Sequence, residues 1–119
     1  MNILIVDDDP NILEVLDASL TAAGFQVHKA GNAKAAISLL KKVSIDLMIS
    51  DMKMPAMSGM VLLSEIQQIL PDLPVIFLTA YGTIPCAVNA LKKGEVDYIS
   101  KPFDGREVIS KIHEILANQ

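Results

Sequence analysis

Polar and acidic groups stand where apolar runs end. The stretch from residue 3 to 10 reads ILIVDDDP, so Asp7, Asp8 and Asp9 follow directly on Ile3–Val6. Asp51 comes after the run Leu47–Ile49, Thr79 after Val75–Leu78, and Lys101-Pro102 after Tyr98–Ile99. If those runs are neighbouring strands, several carboxylates, a hydroxyl and an ammonium converge on one small patch. Oxygen-rich carboxylate clusters suit a hard cation such as Mg²⁺, which keeps several waters and needs few protein ligands. Without it, the carboxylates repel and one tends to take up a proton. A carboxylate beside such a cation, a lysine and a hydroxyl is a fair phosphoryl acceptor. The cation and ammonium neutralise charge on the transferring group while the carboxylate attacks and becomes an acyl phosphate. Spacing alone does not say which aspartate is the nucleophile.

The elements that must position these groups are legible in the hydrophobic pattern. Apolar runs at Ile3–Val6, Phe25–His28, Leu47–Ile49, Val75–Leu78 and Tyr98–Ile99 are rich in Val, Ile and Leu, and the first, third and fourth barely alternate. Strands covered on both faces have that character. Between them, apolar residues recur at helical spacing: Ile12, Val15, Leu16 and Leu20; Ala36, Ile37, Leu39 and Leu40; then Leu62 to Leu70. Further sets run from Ala87 to Leu91 and from Val108 to Leu116. Pro10 suits a first helical turn, Gly24 and Gly94 suit helix ends, and Ser58-Gly59 suits the opening of the third helix. Strict βα alternation predicts a parallel sheet with helices on both faces and right-handed crossovers. Ligands of such sheets collect at the carboxyl ends of the strands.

Composition narrows the class. A chain of 119 residues with 51% hydrophobic and 20% charged residues has enough material for one core and is not disordered. Its net charge of −4 argues against gripping a phosphate backbone unaided, and Lys41-Lys42 and Lys92-Lys93 read as isolated solvated pairs. The single Cys86 excludes an internal disulfide and a zinc-type cysteine spacing. No basic-then-apolar leader and no apolar run near the ~20 residues of a membrane span are visible, so a cytoplasmic setting is expected.

Four motifs in order, ILIVDDDP, DLMISDMKMPAMSG, VIFLTAYG and DYISKPF, make nearly the whole chain resemble a response-regulator receiver domain of bacterial two-component signalling. The resemblance implies a (βα)₅, flavodoxin-like fold with strand order 2-1-3-4-5 over residues 1–119, an order the receiver family itself exemplifies. It also implies a phosphorylation-dependent switch rather than a turnover enzyme, catalysing only its own phosphorylation and dephosphorylation. Asp51 aligns with the phosphoacceptor, Asp8 with a direct Mg²⁺ ligand and Asp7 with one acting through water. The main-chain carbonyl of Lys53 aligns with a third protein ligand. Thr79 matches the switch hydroxyl, Lys101 the lysine that pairs with the phosphoryl group, and Tyr98 the aromatic that swings inward on phosphorylation. Pro102 matches the family's cis-peptide position. The implied partner is a sensor histidine kinase or phosphotransfer protein, and the surface that changes is that of the fourth helix, fifth strand and fifth helix, which is also the expected homodimer surface. Neither direct nucleic-acid contact by this domain nor membrane association is expected.

Plainer roles suit several residues. Asp9, before Pro10, reads as a helix cap rather than a metal ligand. Met52, Met54, Met57 and Met60 read as packing, Cys86 as structural, and His28 and His113 as unconnected with phosphoryl chemistry. Ser58 replaces an acid common in the family, at a cost to capping only. Bulky Lys53 and Tyr81 flank the acceptor and should hinder the hydrolytic water, prolonging the acyl phosphate. A haloacid-dehalogenase-type phosphatase is the competing enzyme reading, on Asp-x-Asp within DDDPN, but Asn11 stands where that family has Thr. A protein-binding pseudo-receiver is the third, against which the intact set of acids, hydroxyl and lysine speaks. The single acid before Tyr98 and the Ala-Tyr-Gly after Thr79 resemble receivers of NtrC-like σ54-dependent activators. On that resemblance the domain is either stand-alone or is followed by an ATPase and a DNA-binding domain that control transcription.

Overall fold

The computed structural model describes residues 1–51, 59–80, 96–101 and 103–117, and within these the side chains of all but 59–63, 79–80, 96–98 and 100–101. The described elements are β1 (Asn2–Val6), α1 (Pro10–Ala22), β2 (Gln26–Ala30), α2 (Ala33–Lys42), β3 (Leu47–Asp51), α3 (Gly59–Ile69), β4 (Val75–Ala80) and β5 (Val96–Lys101). A C-terminal helix spans Gly105–Ala117. They follow the expected alternation up to β4; the helix expected between β4 and β5 lies outside the described residues. The strands form one parallel sheet in the order β2-β1-β3-β4-β5. The step from β2 back past β1 to β3 is the switch point of a doubly wound sheet, where a crevice opens at the carboxyl edge.

Both faces of the sheet are buried, which explains the unalternating runs. Ile3 and Ile5 of β1, with Leu47 and Ile49 of β3, pack under Leu16 and Leu20 of α1 and Val108 and Ile112 of the C-terminal helix. Their neighbours Leu4, Val6 and Met48 face the other way, against Ala33, Ala36 and Leu40 of α2 and Ile66 of α3. Phe77 is the largest side chain with no exposure and belongs to this second core. Val15 departs from its periodic set: it is 54% exposed, because the α1 stripe centres on Ile12, Leu16 and Leu20 and leaves Val15 on its flank. The fourth periodic set, Ala87 to Leu91, together with Gly94, Cys86 and Pro102, lies outside the described residues.

Strand boundaries shift in an informative way. Phe25 precedes β2 rather than belonging to it, packing partly buried against the α1 side. The strand instead runs on to Ala30, because Val6 pairs with Ala30 in the β1–β2 ladder. On the other strands the polar residues at the run ends are themselves strand residues: Ser50 and Asp51 close β3, Thr79 and Ala80 close β4, and Ser100 and Lys101 close β5. Ladder pairing carries them into extended structure although their polarity ends the hydrophobic signal.

Helix ends obey their expected chemistry. Asp9 caps α1, its Oδ1 accepting from the Asn11 amide at 2.9 Å, with Pro10 in the first turn. Gly24 follows the helix at φ +96°, a backbone conformation that penalises any Cβ. Asn32 caps α2 through a 2.8 Å bond from the Ala35 amide. Gly105 opens the C-terminal helix against α1 so closely that a Cβ there would meet Ser19 Oγ at 2.5 Å and Ser19 Cβ at 3.1 Å.

Candidate functional site

The acids meet because β1 and β3 are adjacent and end level. Val6 pairs with Ser50, so Asp7 leaves β1 beside Asp51, the last residue of β3. Asp7 is tethered by its own amide, which donates to the Ala30 carbonyl at 3.1 Å, extending the β1–β2 ladder by one step. Its Oδ1 accepts from the Asp9 amide at 2.9 Å. That bond turns the chain so that Asp8 faces outward while Asp9 starts α1. One carboxylate oxygen from each of Asp7, Asp8 and Asp51 lies within 4.8 Å of the others. Asp7 is 1% exposed, Asp51 8%, and Asp8 open to solvent.

Three carboxylates this close need a counter-charge. Like unit charges about 4 Å apart repel by roughly 1 kcal/mol in water and about 4 kcal/mol at the effective dielectric of a protein surface. Two of the three are buried, so their repulsion is poorly screened. The donor set consists of hard oxygens only, and its outer member, Asp8, faces solvent, leaving room for ordered waters. Those features fit Mg²⁺, which takes one or two carboxylates and retains several waters. Asp7, Asp8 and Asp51 can thus hold a divalent cation at the carboxyl edge of the sheet.

Ladder register brings further predicted residues to the same edge. Asp51 pairs with Leu78, and Thr79 follows on β4. Thr79 in turn pairs with Ser100, and Ala80 with Lys101. Tyr98 sits opposite Phe77, two residues before the edge. Backbone placement therefore gathers Asp7 and Asp8, just past β1, with Asp51, Thr79 and Lys101 at the carboxyl ends of the neighbouring strands β3, β4 and β5. The side chains of Thr79, Tyr98 and Lys101, and the whole of Lys53 and Tyr81, lie outside the described residues, as do Met52, Met54 and Met57 and the side chain of Met60.

Residues expected to be uninvolved lie elsewhere. His28 Nε2 is 3.2 Å from Asn2 Oδ1, and Asn2 Nδ2 donates to the Ser44 carbonyl at 3.0 Å. The Asn2 amide donates to Asp46 Oδ2 at 2.7 Å, so this cluster ties the amino ends of three strands together, opposite the acids. His113 packs its ring on Phe25 with centroids 5.9 Å apart. Ser50, by contrast, passed unnoticed in the sequence reading. It is fully buried directly before Asp51, and its Oγ donates to the Asp51 carbonyl at 3.1 Å. A serine ending an otherwise apolar strand run was the available signal.

Comparison with known proteins resolves the family. The sequence profile of the response regulator receiver domain matches residues 3–113. The chain belongs to that family. Among curated relatives of this receiver domain, the transcriptional regulatory protein GlrR of Escherichia coli is 40% identical over 115 residues, covering 97% of the chain. The DNA-binding transcriptional regulator NtrC of Salmonella typhimurium is 36% identical over 114 residues, covering 96% of the chain. The receiver spans only 26% and 24% of those two proteins, about a quarter of each. A response regulator receiver domain from Clostridium thermocellum superimposes with a TM-score of 0.91 at 34% identity, covering 98% of this chain and 94% of that one. The NtrX receiver domain of Brucella abortus gives a TM-score of 0.91 at 29% identity, covering 98% and 99%. The chain is thus a receiver domain of the two-component response-regulator type, with NtrC-like relatives that regulate transcription. Among the described residues no helix is long and apolar enough to cross a membrane.

Proposed function

We propose that residues 1–119 form one receiver domain in which Asp51 accepts a phosphoryl group from a phosphohistidine of a sensor kinase or phosphotransfer protein. The observation that carries this reading is the meeting of Asp7, Asp8 and Asp51 within 4.8 Å at the end of β1 and β3. An Asp51 oxygen attacks phosphorus in line, the P–N bond of the phosphohistidine breaks, and the imidazole nitrogen leaves with its electron pair. Asp51 becomes an acyl phosphate, and water later restores the carboxylate and releases phosphate. Asp8, Asp51 and the Lys53 carbonyl would hold Mg²⁺, with Asp7 reaching it through water. When bound, the cation offsets the negative charge that accumulates on the transferring oxygens. Lys101 supplies a further positive charge to the phosphoryl group and Thr79 a hydrogen bond.

The acyl phosphate adds oxygens that only one arrangement of Thr79 and Lys101 satisfies, so phosphorylation shifts the balance between two conformations. Tyr98 follows, altering the surface around β5 and the C-terminal helix, where a second copy docks. The domain acts on itself and not on a metabolite. It works in the cytoplasm without touching nucleic acid, and it controls transcription through output domains like those its longer relatives carry. Phosphotransfer from a kinase, followed by peptide mapping of the modified aspartate, tests the assignment. Modification is expected on Asp51; modification on Asp7, the nucleophile of the phosphatase alternative, would contradict it.

A further inference from the structure

Ser50 is fully buried at the carboxyl edge of the sheet, one residue before the acceptor. It pairs with Val6 on one side and Phe77 on the other, residues with 1% and 0% exposure. A hydroxyl in such surroundings is costly unless it is bonded. Its Oγ donates to the main-chain carbonyl of Asp51 at 3.1 Å, entirely out of solvent.

The acceptor of that bond matters because Asp51 is the last residue of β3. Ladder pairing with Leu78 holds the strand to this point, and the Ser50 hydroxyl adds a second, side-chain hold on the Asp51 carbonyl. The carbonyl direction is set by ψ of Asp51, which also sets where the onward chain goes. A buried hydroxyl gripping that carbonyl therefore pins the backbone of Asp51 on its outgoing side. With the ladder holding the strand and the hydroxyl holding the carbonyl, the Asp51 Cα is anchored on both sides, which limits the swing of its Cα–Cβ bond relative to Asp7, itself held by the Ala30 carbonyl and the Asp9 amide.

We infer that Ser50 is a positioning residue: through its bond to the Asp51 carbonyl it pre-sets the spacing of the three-carboxylate cation site. The inference rests on the proposed cation site, and its first readout is cation affinity rather than phosphorylation. Partners that orient metal ligands typically account for about 10–100-fold in affinity. Ser50 grips the backbone of a ligand residue rather than its carboxylate, which places its effect at the lower end, about tenfold.

Three variants separate the bond from the space it fills. Ser50→Ala deletes the hydroxyl, Ser50→Cys keeps the volume with a poor donor, and Ser50→Thr keeps the hydroxyl. Mg²⁺ affinity is measured by calorimetry on the metal-free protein, thermal stability in EDTA, and labelling rate with acetyl phosphate. Ser50→Ala and Ser50→Cys are expected to weaken Mg²⁺ binding about tenfold, with Ser50→Thr closer to wild type. If Thr overpacks the strand, the difference between Ser and Cys still decides. Mg²⁺ affinity within twofold of wild type in both Ala and Cys variants, whatever happens to thermal stability, would overturn the inference and leave Ser50 a purely structural residue. Wild-type protein that binds Mg²⁺ but does not label would count against the phosphoacceptor reading instead, and the Ser50 result would still stand on affinity.

Discussion

At the residue scale, the cluster divides three adjacent aspartates by geometry. Asp7 is buried and tethered, Asp8 points to solvent, and Asp9 caps α1. This division follows from where the strand stops: β1 ends at Val6, and the Asp9 amide bonding back to Asp7 Oδ1 turns the chain within the acidic run. It predicts opposite effects of Asp8→Asn with and without cation. In EDTA the variant should melt a few degrees higher than wild type, because one of three like charges is gone. In Mg²⁺ it should lose at least about tenfold in cation affinity, since a ligand and not merely its support is removed. Calorimetric titration and thermal melts check both signs. The acids were legible in the sequence because charge directly after an apolar run is conspicuous. Ser50 was not, because a lone serine at a strand end looks ordinary until its burial and its acceptor are known.

At the element scale, β2 and the C-terminal helix are held by contacts that periodicity does not reveal. Asp17 of α1 accepts from Thr21 Oγ1 at 2.9 Å and pairs with Lys29 of β2 at 3.1 Å. The Thr21 hydroxyl first, and Lys29 second, hold the Asp17 carboxyl below its ordinary value. A carboxylate with a depressed folded pKa stabilises the protein above its unfolded pKa, and that contribution disappears as pH falls through the folded one. Asp17→Asn should therefore cost no more than about 1 kcal/mol at neutral pH, given its exposure. The difference from wild type should shrink below about pH 4 and shrink with added salt, as urea melts across pH can show. Gly105 makes a sharper prediction. Gly105→Ala places a Cβ 2.5 Å from Ser19 Oγ and 3.1 Å from Ser19 Cβ, an overpacking that costs about 1–3 kcal/mol. Ser19→Ala in the same chain should recover part of the loss, and additive single-variant effects would show that the two helices do not meet there. The sequence carried no signal for Gly105, since its close approach to α1 depends on how the two helices cross.

At the scale of the whole molecule, strand order is the device that makes the site. Placing β1 between β2 and β3 puts two acid-bearing strand ends side by side, and adding β4 and β5 brings Thr79 and Lys101 to the same edge. The fold was legible because both sheet faces are covered, giving apolar runs without alternation, and because Pro10, Asp9 and Gly24 punctuate α1. Strand ends were read short, since pairing extends Thr79-Ala80 and Ser100-Lys101 into the sheet where hydrophobicity stops. A cation that relieves repulsion in the folded state alone should stabilise the molecule as a whole. At ten times its dissociation constant, Mg²⁺ should add about 1.4 kcal/mol, seen as a concentration-dependent rise in melting temperature that EDTA reverses. The central claim is that these strand ends build a phosphoacceptor around Asp51. The most direct measurement is labelling by acetyl phosphate of wild type and Asp51→Asn, each with and without Mg²⁺. The expected result is one alkali-labile phosphoryl group per wild-type chain, formed only with Mg²⁺, and none in Asp51→Asn; equal labelling of the variant would contradict the account.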